Sequence, residues 1–344
     1  MLNRRDALGA LGSLAGAALV LPKLAWAQAK ELVFTSWGGT TQEAQAAAWA
    51  VPFTKETGVK VLQDGPIDYG KLKAMVDSGN VQWDVVDVEQ DFALFAAKNG
   101  MLEPLDFTVI KREDLDPRFV SDHGVGSFYY AWVIGYSQGA YGSNQPGGWA
   151  DLFDLAKFPG KRAYYKWCGP GVYEIPLLAD GVKPEQLYPL DLDRAFKKMD
   201  SIKKQTVWWG TGAQSQQLLA SGETPMGMFW SGRLHSLVKD GTSVGVQWNQ
   251  NLTAADLLVI PKGSKNKDLA MKFLAVASSP EGQAEMAKRL GYSPTNLKSL
   301  ALLDQDTIDS LPSHYAAMNI PIDIQYWADH RTELDKRWYN WQAG

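Results

Sequence analysis

The sequence of 344 residues has few of the residues that build disulfides, metal clusters or nucleic-acid-binding surfaces. It contains one cysteine, Cys168, which excludes an internal disulfide and a cysteine-based metal site. The four histidines show no metal-ligand spacing. There are 34 Lys and Arg against 38 Asp and Glu, and the net charge is −4. Because binding to phosphates requires clustered basic residues, this composition argues against a nucleic-acid-binding protein.

Catalytic and nucleotide-binding motifs are also missing. No GxSxG elbow, Walker loop, Rossmann glycine run or HExxH pattern occurs. Cys168 has no recognisable histidine partner, so its sequence context favours an inert, packed thiol. We therefore expect a protein that is not an enzyme and has no cofactor and no resident metal. An exported enzyme remains an alternative, because fold alone does not fix function.

The first 27 residues have the pattern of a signal peptide. Arg4 and Arg5 precede an apolar run of about 14 residues, Leu8–Leu21, and Ala25-Trp26-Ala27 forms a small-x-small cleavage site. The run is shorter than the ~20 residues that a membrane-spanning helix needs. The adjacent arginines favour twin-arginine export of a folded protein, with ordinary unfolded-state export as the alternative. No cysteine comes directly after the cleavage site, so we expect a periplasmic protein without a lipid anchor.

The remaining chain alternates predicted strands and helices. Strands are predicted at Glu31–Ser36, Val59–Leu62 and Trp83–Val88, with helices between them, and a second series opens at Arg162–Trp167. Strand–helix alternation of this kind predicts a parallel sheet in an α/β protein.

Long apolar strands provide connections between two such units. Phe128–Tyr136 and Asp256–Ile260 are predicted to be crossover strands, and a separate strand is predicted at Ser243–Trp248. The resulting division has a first lobe of residues 28–135 plus 257–305. The second lobe comprises residues 136–256 plus 306–344.

Six stretches, in order along the chain, carry a resemblance to a known family. They are SWGG at Ser36–Gly39, WDVVDVE at Trp83–Glu89, GWADLFDLAKFPGKRA at Gly148–Ala163, MGMFWSGR at Met226–Arg233, VIPKGSKNKDLAMKFL at Val259–Leu274 and LGYSPTN at Leu290–Asn296. With this set the chain resembles the periplasmic solute-binding proteins of the spermidine/putrescine type, which serve ABC importers. The resemblance implies a type II periplasmic binding protein, with two α/β lobes, two crossover strands and a ligand cleft between the lobes. It also implies a monomer whose partners are a small amine-bearing ligand and the permease subunits in the inner membrane.

Aromatic and basic residues next to predicted strands are candidates for ligand binding. Trp37 ends the first strand, and Gly38 and Gly39 would let backbone N–H groups approach a ligand at a helix start. The alternative is an ordinary strand–helix turn with a packed tryptophan. Trp230 can stack on an amine and Arg233 can bind a carboxylate through two hydrogen bonds. Core packing and a surface salt bridge are the alternatives for these two residues.

Acidic residues at strand ends are candidates for holding an amine. Glu89 follows the third strand and can bind an ammonium group, or it can simply favour the helix start that follows. Burial of Asp256 would be costly without a cation, which is either a ligand or a structural Lys or Arg. The resemblance implies that an acid at this place contacts the ligand amine. Weaker candidates are Trp167, Tyr292 and Trp327, since each alone is more often a core residue.

One departure from the family pattern bears on the ligand. Polyamine binders of the family carry a pair of acidic residues after the first strand of the second lobe. The corresponding residues 167–174 contain one acidic residue here, Glu174. Arg233 with one or two acids suits a zwitterion such as the ω-amino acid GABA. A polyamine such as putrescine or spermidine stays open, because Glu89, Asp256 and Glu174 can supply three anionic contacts.

Paired tyrosines suggest a further alternative. Tyr129-Tyr130 and Tyr164-Tyr165 are similar to the tyrosine pairs of ferric-ion receptors that share this fold. A ferric-ion-binding receptor is therefore kept as an alternative function.

Overall fold

The computed structural model describes residues 31–344, so the predicted signal peptide lies outside the described residues. The strands are β1 Glu31–Thr35, β2 Lys60–Asp64, β3 Val85–Glu89, β4 Val120–Ser121, β5 Gly124–Ser137, β6 Arg162–Tyr165, β7 Thr206–Trp209, β8 Met226–Trp230, β9 Val244–Val259 and β10 Asn319–Pro321. The α-helices are α1 Gly39–Gln45, α2 Val51–Thr57, α3 Tyr69–Ser78, α4 Gln90–Lys98, α5 Gln138–Tyr141, α6 Trp149–Phe153, α7 Glu174–Ala179, α8 Leu192–Asp200, α9 Gly212–Ala220, α10 Ser231–Lys239, α11 Lys267–Ala277, α12 Pro280–Leu290, α13 Gln305–Ser310 and α14 Ile324–Ala343.

The strands form one mixed sheet whose two ends belong to two α/β lobes. The order is β2-β1-β3-β9-β5-β8-β6-β7. The pairs β1–β2, β1–β3, β6–β7 and β6–β8 are parallel, as the strand–helix alternation predicts. Every residue of β3 is buried, which is usual for a parallel strand covered on both faces. The strands β5 and β9 lie at the centre and belong to both lobes.

The prediction of separate strands at Ser243–Trp248 and Asp256–Ile260 is wrong, because β9 is continuous over 16 residues. The intervening segment is rich in polar residues and therefore has the composition of a turn. Pairing with β5 keeps its second half extended: Ala131 is opposite Thr253 and Trp132 is opposite Leu252. Tertiary pairing here outweighs local composition.

The middle of β9 contains a wide bulge. Trp132 pairs with Leu252 and Ile134 with Gln247, so residues 248–251 lie opposite the single residue Val133. Gln250 has a φ of 57°, which bends the strand at this point. The short strand β10 pairs with residues 251–253, directly beside the bulge. Three chain segments therefore meet where the two lobes join.

The last helix, α14, is fixed to the second lobe by aromatic residues. The Trp338 ring lies 5.4 Å from that of Tyr173, and the Trp338 Nε1–H donates to the Lys166 carbonyl at 2.9 Å. The Tyr173 hydroxyl donates to the Leu334 carbonyl at 2.8 Å. α14 also contacts α4 of the first lobe. Over residues 31–344, none of the helices has the length and apolar character needed to cross a membrane.

Candidate functional site

A cavity of about 340 Å³ lies between the two lobes, at the ends of strands β1, β3 and β8. Six of the predicted site residues line it: Trp37, Glu89, Trp230, Arg233, Asp256 and Tyr292. Four other residues line it, Thr41, Phe128, Tyr130 and Tyr165; Thr41 and Phe128 were not predicted, and the two tyrosines were named only in the ferric-ion alternative. Phe128 and Tyr130 alternate along β5, and Phe128 lies opposite Asp256, so the two-residue period of a strand was the available signal.

Two buried carboxyl groups form one part of the cavity wall. Glu89 and Asp256 are directly opposite each other in the antiparallel pair β3–β9, so their side chains project from the same face of the sheet. They are 8% and 4% exposed. Burial, together with the charge of Asp91, raises the pKa of Glu89 to about 7. Burial and the charges of Asp87 and Glu89 raise the pKa of Asp256 well above its usual value. A cation between these carboxyl groups would favour their charged forms.

A third buried acid, Asp87, lies next to these two carboxyl groups. It lies two residues before Glu89 on β3, and its Oδ2 accepts hydrogen bonds from Ser127 Oγ at 3.3 Å and Ser36 Oγ at 3.4 Å. Burial raises the pKa of Asp87 to about 7. The buried Oδ1 of Asp256 has no hydrogen-bond partner within residues 31–344, and the Oδ1 of Asp87 likewise has none. A buried acceptor without a partner is costly, and a ligand donor would satisfy it.

Arg233 supplies the positive charge of the cavity. It lies in the first turn of α10 and is buried; its Nη2–H donates to Thr41 Oγ1 at 2.7 Å, and its Nη1–H donates to Thr40 Oγ1. Both threonines belong to α1 of the first lobe, so Arg233 joins the lobes. Neither the buried Arg233 Nε–H nor the Trp230 Nε1–H has a partner in the described part of the chain. These two donors suit a carboxylate.

Aromatic rings form the remaining walls. The Trp230 ring lies 6.0 Å from Tyr130 and 5.3 Å from Tyr165, measured between ring centroids. Burial raises the pKa of Tyr292 to about 12; the charge of Arg233 opposes this shift and that of Asp256 adds to it. Tyr292 therefore lies close enough to both Arg233 and Asp256 to interact with their charges. Rings of this kind exclude water from the short apolar part of a ligand.

Gly38 and Gly39 do not line the cavity. Both have left-handed backbone conformations, with φ of 75° and 57°, which glycine adopts without steric cost. The Gly38 N–H donates to Gln42 Oε1 at 3.1 Å, so the glycine pair forms the turn into α1. Thr40 and Thr41 do not cap this helix, because it already begins at Gly39. Their hydroxyls bind Arg233 instead.

Trp167 lies farther out, at the mouth of the cleft. It is 43% exposed and lines an outer cavity of about 820 Å³, together with Tyr339 and Arg331. Trp37 and Glu89 line both cavities, so the outer one leads to the inner one. Trp167 is therefore placed along the approach to the inner cavity.

Trp327 is a core residue and does not line the inner cavity, although it was predicted as a weak candidate for ligand binding. Its Nε1–H donates to Glu174 Oε1 at 2.6 Å, and its ring lies 5.8 Å from that of Tyr173. Glu174 also accepts hydrogen bonds from the Tyr188 hydroxyl at 2.6 Å and the Gly171 N–H at 2.9 Å. Because Glu174 is buried away from the cavity with three protein donors, it is not the third anionic contact considered for a polyamine.

The tyrosine pairs are divided between the cavity and the core. Tyr130 and Tyr165 line the cavity, whereas Tyr129 stacks on Phe119 and the Tyr164 hydroxyl donates to the Val172 carbonyl at 2.9 Å. Among residues 31–344, no three His, Cys, Asp or Glu side chains are arranged to hold a metal ion.

Comparison with known proteins agrees with this geometry. Residues 48–314 match the family described as bacterial extracellular solute-binding protein. The chain is 35% identical over 334 residues to a gamma-aminobutyric acid-binding protein of Pseudomonas aeruginosa, covering 94% of each chain. It is also similar to the solved Atu4243-GABA receptor, with 58% identity, a TM-score of 0.87, and coverage of 91% of this chain and 98% of that one.

A third comparison concerns the conformation. The solute-binding protein AttC of Agrobacterium tumefaciens C58, solved in an open unliganded conformation, is 31% identical over 91% of this chain and 99% of its own. The TM-score is only 0.66. Here Arg233 binds threonines of the opposite lobe, and Arg331 of α14 binds Asp91 of α4. These contacts across the cleft identify the present conformation as closed.

Proposed function

Because the chain belongs to the bacterial extracellular solute-binding proteins, we propose that it is the receptor of an ABC importer for a short ω-amino acid such as 4-aminobutyrate (GABA). In this role it captures the solute in the periplasm, closes around it and delivers it to the permease in the inner membrane. We further propose that it acts as a monomer, exported by its twin-arginine signal peptide and carrying no lipid anchor.

The observation that carries this proposal is the presence of opposite charges in one cavity between the lobes. Glu89 and Asp256 offer two carboxyl groups, and within residues 31–344 nothing donates to Asp256 Oδ1. Arg233 offers a buried guanidinium whose Nε–H is likewise available to a ligand. An ammonium at one end of a ligand and a carboxylate at the other would satisfy both groups.

The same charges disfavour a polyamine. A diamine would bring a second ammonium into a cavity that contains Arg233, and buried like charges oppose binding strongly. Glu174, the remaining acid considered for polyamine recognition, is bound by Trp327 and Tyr188. The two relatives whose names include GABA support the same choice.

The test is calorimetric titration of the chain from residue 28 onward, after unfolding and refolding to remove bound solute. The ligands are 4-aminobutyrate, 5-aminopentanoate, putrescine, spermidine and ferric citrate. We expect 4-aminobutyrate to bind with a Kd near or below micromolar, which corresponds to a binding free energy of about −8 kcal/mol. Binding of putrescine, spermidine or ferric iron as tightly as 4-aminobutyrate would contradict the proposal.

A matched pair of ligands tests the carboxylate contact separately. Butylamine has the amine and chain of 4-aminobutyrate without its carboxylate. We expect Arg233→Met to lower the affinity for 4-aminobutyrate at least tenfold, because a buried charge-assisted contact is lost. The affinity for butylamine should not fall. Equal losses for the two ligands would mean that Arg233 acts on closure and does not bind the carboxylate.

A further inference from the structure

Helix α14 is a bridge between the lobes, and one of its residues reaches the amine-binding wall. Trp338, Tyr173 and Trp327 fix α14 to the second lobe. From this base the side chain of Arg331 extends to α4 of the first lobe, where its Nη1–H binds Asp91 Oδ2. Arg331 is 9% exposed, so its charge is almost completely buried in the closed form.

Arg331 also touches the groups that orient Glu89. Its Nη2 lies 3.7 Å from Glu89 Oε2, and its guanidinium carbon lies 5.2 Å from the ring centroid of Tyr69. The Tyr69 hydroxyl donates to the same Glu89 oxygen at 3.2 Å and accepts from the Glu89 N–H at 3.2 Å. One hydrogen bond, from the Tyr69 hydroxyl, and the nearby positive charge of Arg331 therefore hold Glu89 Oε2. The Tyr69 ring packs edge-on against the cavity wall residue Trp37, with the ring centroids 6.4 Å apart.

Arg331 is surrounded by more than one acidic side chain in the closed conformation. On its own helix its Nε lies 3.9 Å from Asp335 Oδ2. Asp91 is completely buried, and among the ion pairs of residues 31–344 Arg331 is the cation shared by Asp91 and Glu89 across the interface. Opening the cleft carries α14 away with the second lobe. A ligand ammonium beside Glu89 adds positive charge next to the same two carboxylates. Ligand binding and Arg331 docking thus act on one cluster of buried charges.

We propose that Arg331 is a positioning residue that holds Glu89 at the ligand amine and keeps the lobes closed once the ligand is bound. Arg331 does not line the inner cavity, so it acts through Glu89 and Asp91. This proposal rests on the proposed function in requiring an amine beside Glu89. Its kinetic consequence is slow ligand dissociation, because breaking a buried charge pair is required for reopening.

The test measures association and dissociation rates of 4-aminobutyrate by stopped-flow tryptophan fluorescence. For Arg331→Met we expect the dissociation rate to rise at least tenfold and the association rate to change less than threefold. Lys98→Gln is the matched control: Lys98 binds Asp329 at 2.8 Å between the same two helices, but in an exposed pair. Exposed pairs contribute little, so the control rates should stay within twofold.

A double variant separates this role from simple destabilisation. Arg331→Met leaves Asp91 buried without its cation and lowers the thermal midpoint. Arg331→Met combined with Asp91→Asn should restore the midpoint while dissociation stays fast. Restoration of both quantities, or an unchanged dissociation rate in Arg331→Met, would overturn the proposal. If 4-aminobutyrate does not bind the unaltered protein, the proposed function fails, and the same rates measured with putrescine still decide the role of Arg331.

Discussion

Glu89 and Asp256 occupy directly opposite positions on β3 and β9, which places two buried carboxyl groups side by side. Like charges at such positions destabilise a sheet, and removal from water adds to the cost. The protein maintains this arrangement at the point where the two lobes meet. The two carboxyl groups therefore destabilise the protein when no cation is present, and an ammonium group between them would remove this repulsion.

Substitution of Asp256 by asparagine should separate ligand binding from stability. The amide side chain keeps the shape of the carboxyl group and removes one of the two opposed acids, so we expect the thermal midpoint of the ligand-free protein to stay the same or rise. The affinity for 4-aminobutyrate should fall at least tenfold, because a charge-assisted contact is lost. Calorimetry and thermal unfolding measure the two effects. Unchanged affinity would remove Asp256 from the site.

The raised pKa values predict a dependence of stability on pH. Glu89 and Asp87 both titrate with a pKa of about 7 in the folded protein, against usual values of 4.5 and 3.8. Between these limits the folded protein holds more protons than the unfolded chain, so the free energy of unfolding falls as pH rises from about 4 to about 7. A bound ammonium favours the charged carboxylates and offsets this loss.

The thermal shift caused by 4-aminobutyrate should consequently be larger at about pH 8 than at about pH 5. Differential scanning calorimetry at the two pH values, with and without ligand, measures it. Asp256→Asn retains Glu89 and Asp87, so its ligand-induced thermal shift should also be larger at the higher pH, with a smaller difference between the two pH values. A larger shift at the lower pH would be the opposite of what the charges require.

Gly212 leaves room for Arg233. A Cβ at this position would overlap Arg233 Nε, so Gly212→Ala must displace the guanidinium. We expect about a tenfold loss of 4-aminobutyrate affinity, with no loss of helix stability because Ala favours helices more than Gly. Gly139→Ala, also helical but with open space around it, is the control. Full affinity in Gly212→Ala would show that the position of Arg233 is not critical.

Substitution of Trp327 and of Trp230 by phenylalanine should have opposite effects on stability and on ligand affinity. Trp327→Phe removes a hydrogen bond to the buried Glu174 and should lower the free energy of unfolding by about 2 kcal/mol, with affinity within twofold. Trp230→Phe removes an N–H that has no partner within residues 31–344. It should lower affinity and leave stability nearly unchanged. Denaturant unfolding and calorimetry on both variants decide whether the roles are assigned correctly.

The sequence predicted those parts of the site that follow directly from strand ends. The buried run before Glu89 indicated a parallel strand, and Asp256 was conspicuous because it opens an apolar run. Both residues line the cavity. Their function as amine ligands stays a prediction, as do the lobe boundaries.

Other features depend on contacts between distant parts of the chain and left no local signal. Arg331 binds Asp91, 240 residues away in the sequence, and nothing in the sequence near Arg331 distinguishes it from an exposed helical arginine. Trp327 and Trp230 are equally plausible aromatic candidates until packing places one against Glu174 and the other in the cavity. The continuity of β9 likewise depends on hydrogen bonds to β5, which local composition does not reveal.

The bulge in β9 has a consequence for how the protein moves. On either side of residues 248–251, β5 and β9 are paired over several residues, and β10 adds a third hydrogen-bonded segment at the same level. Such a connection resists sliding and rotation of the lobes about their long axis, because either would break ladder hydrogen bonds. It yields most easily to bending at the bulge. We therefore expect the lobes to approach each other by bending at this point, so that one distance measured across the cleft follows the motion.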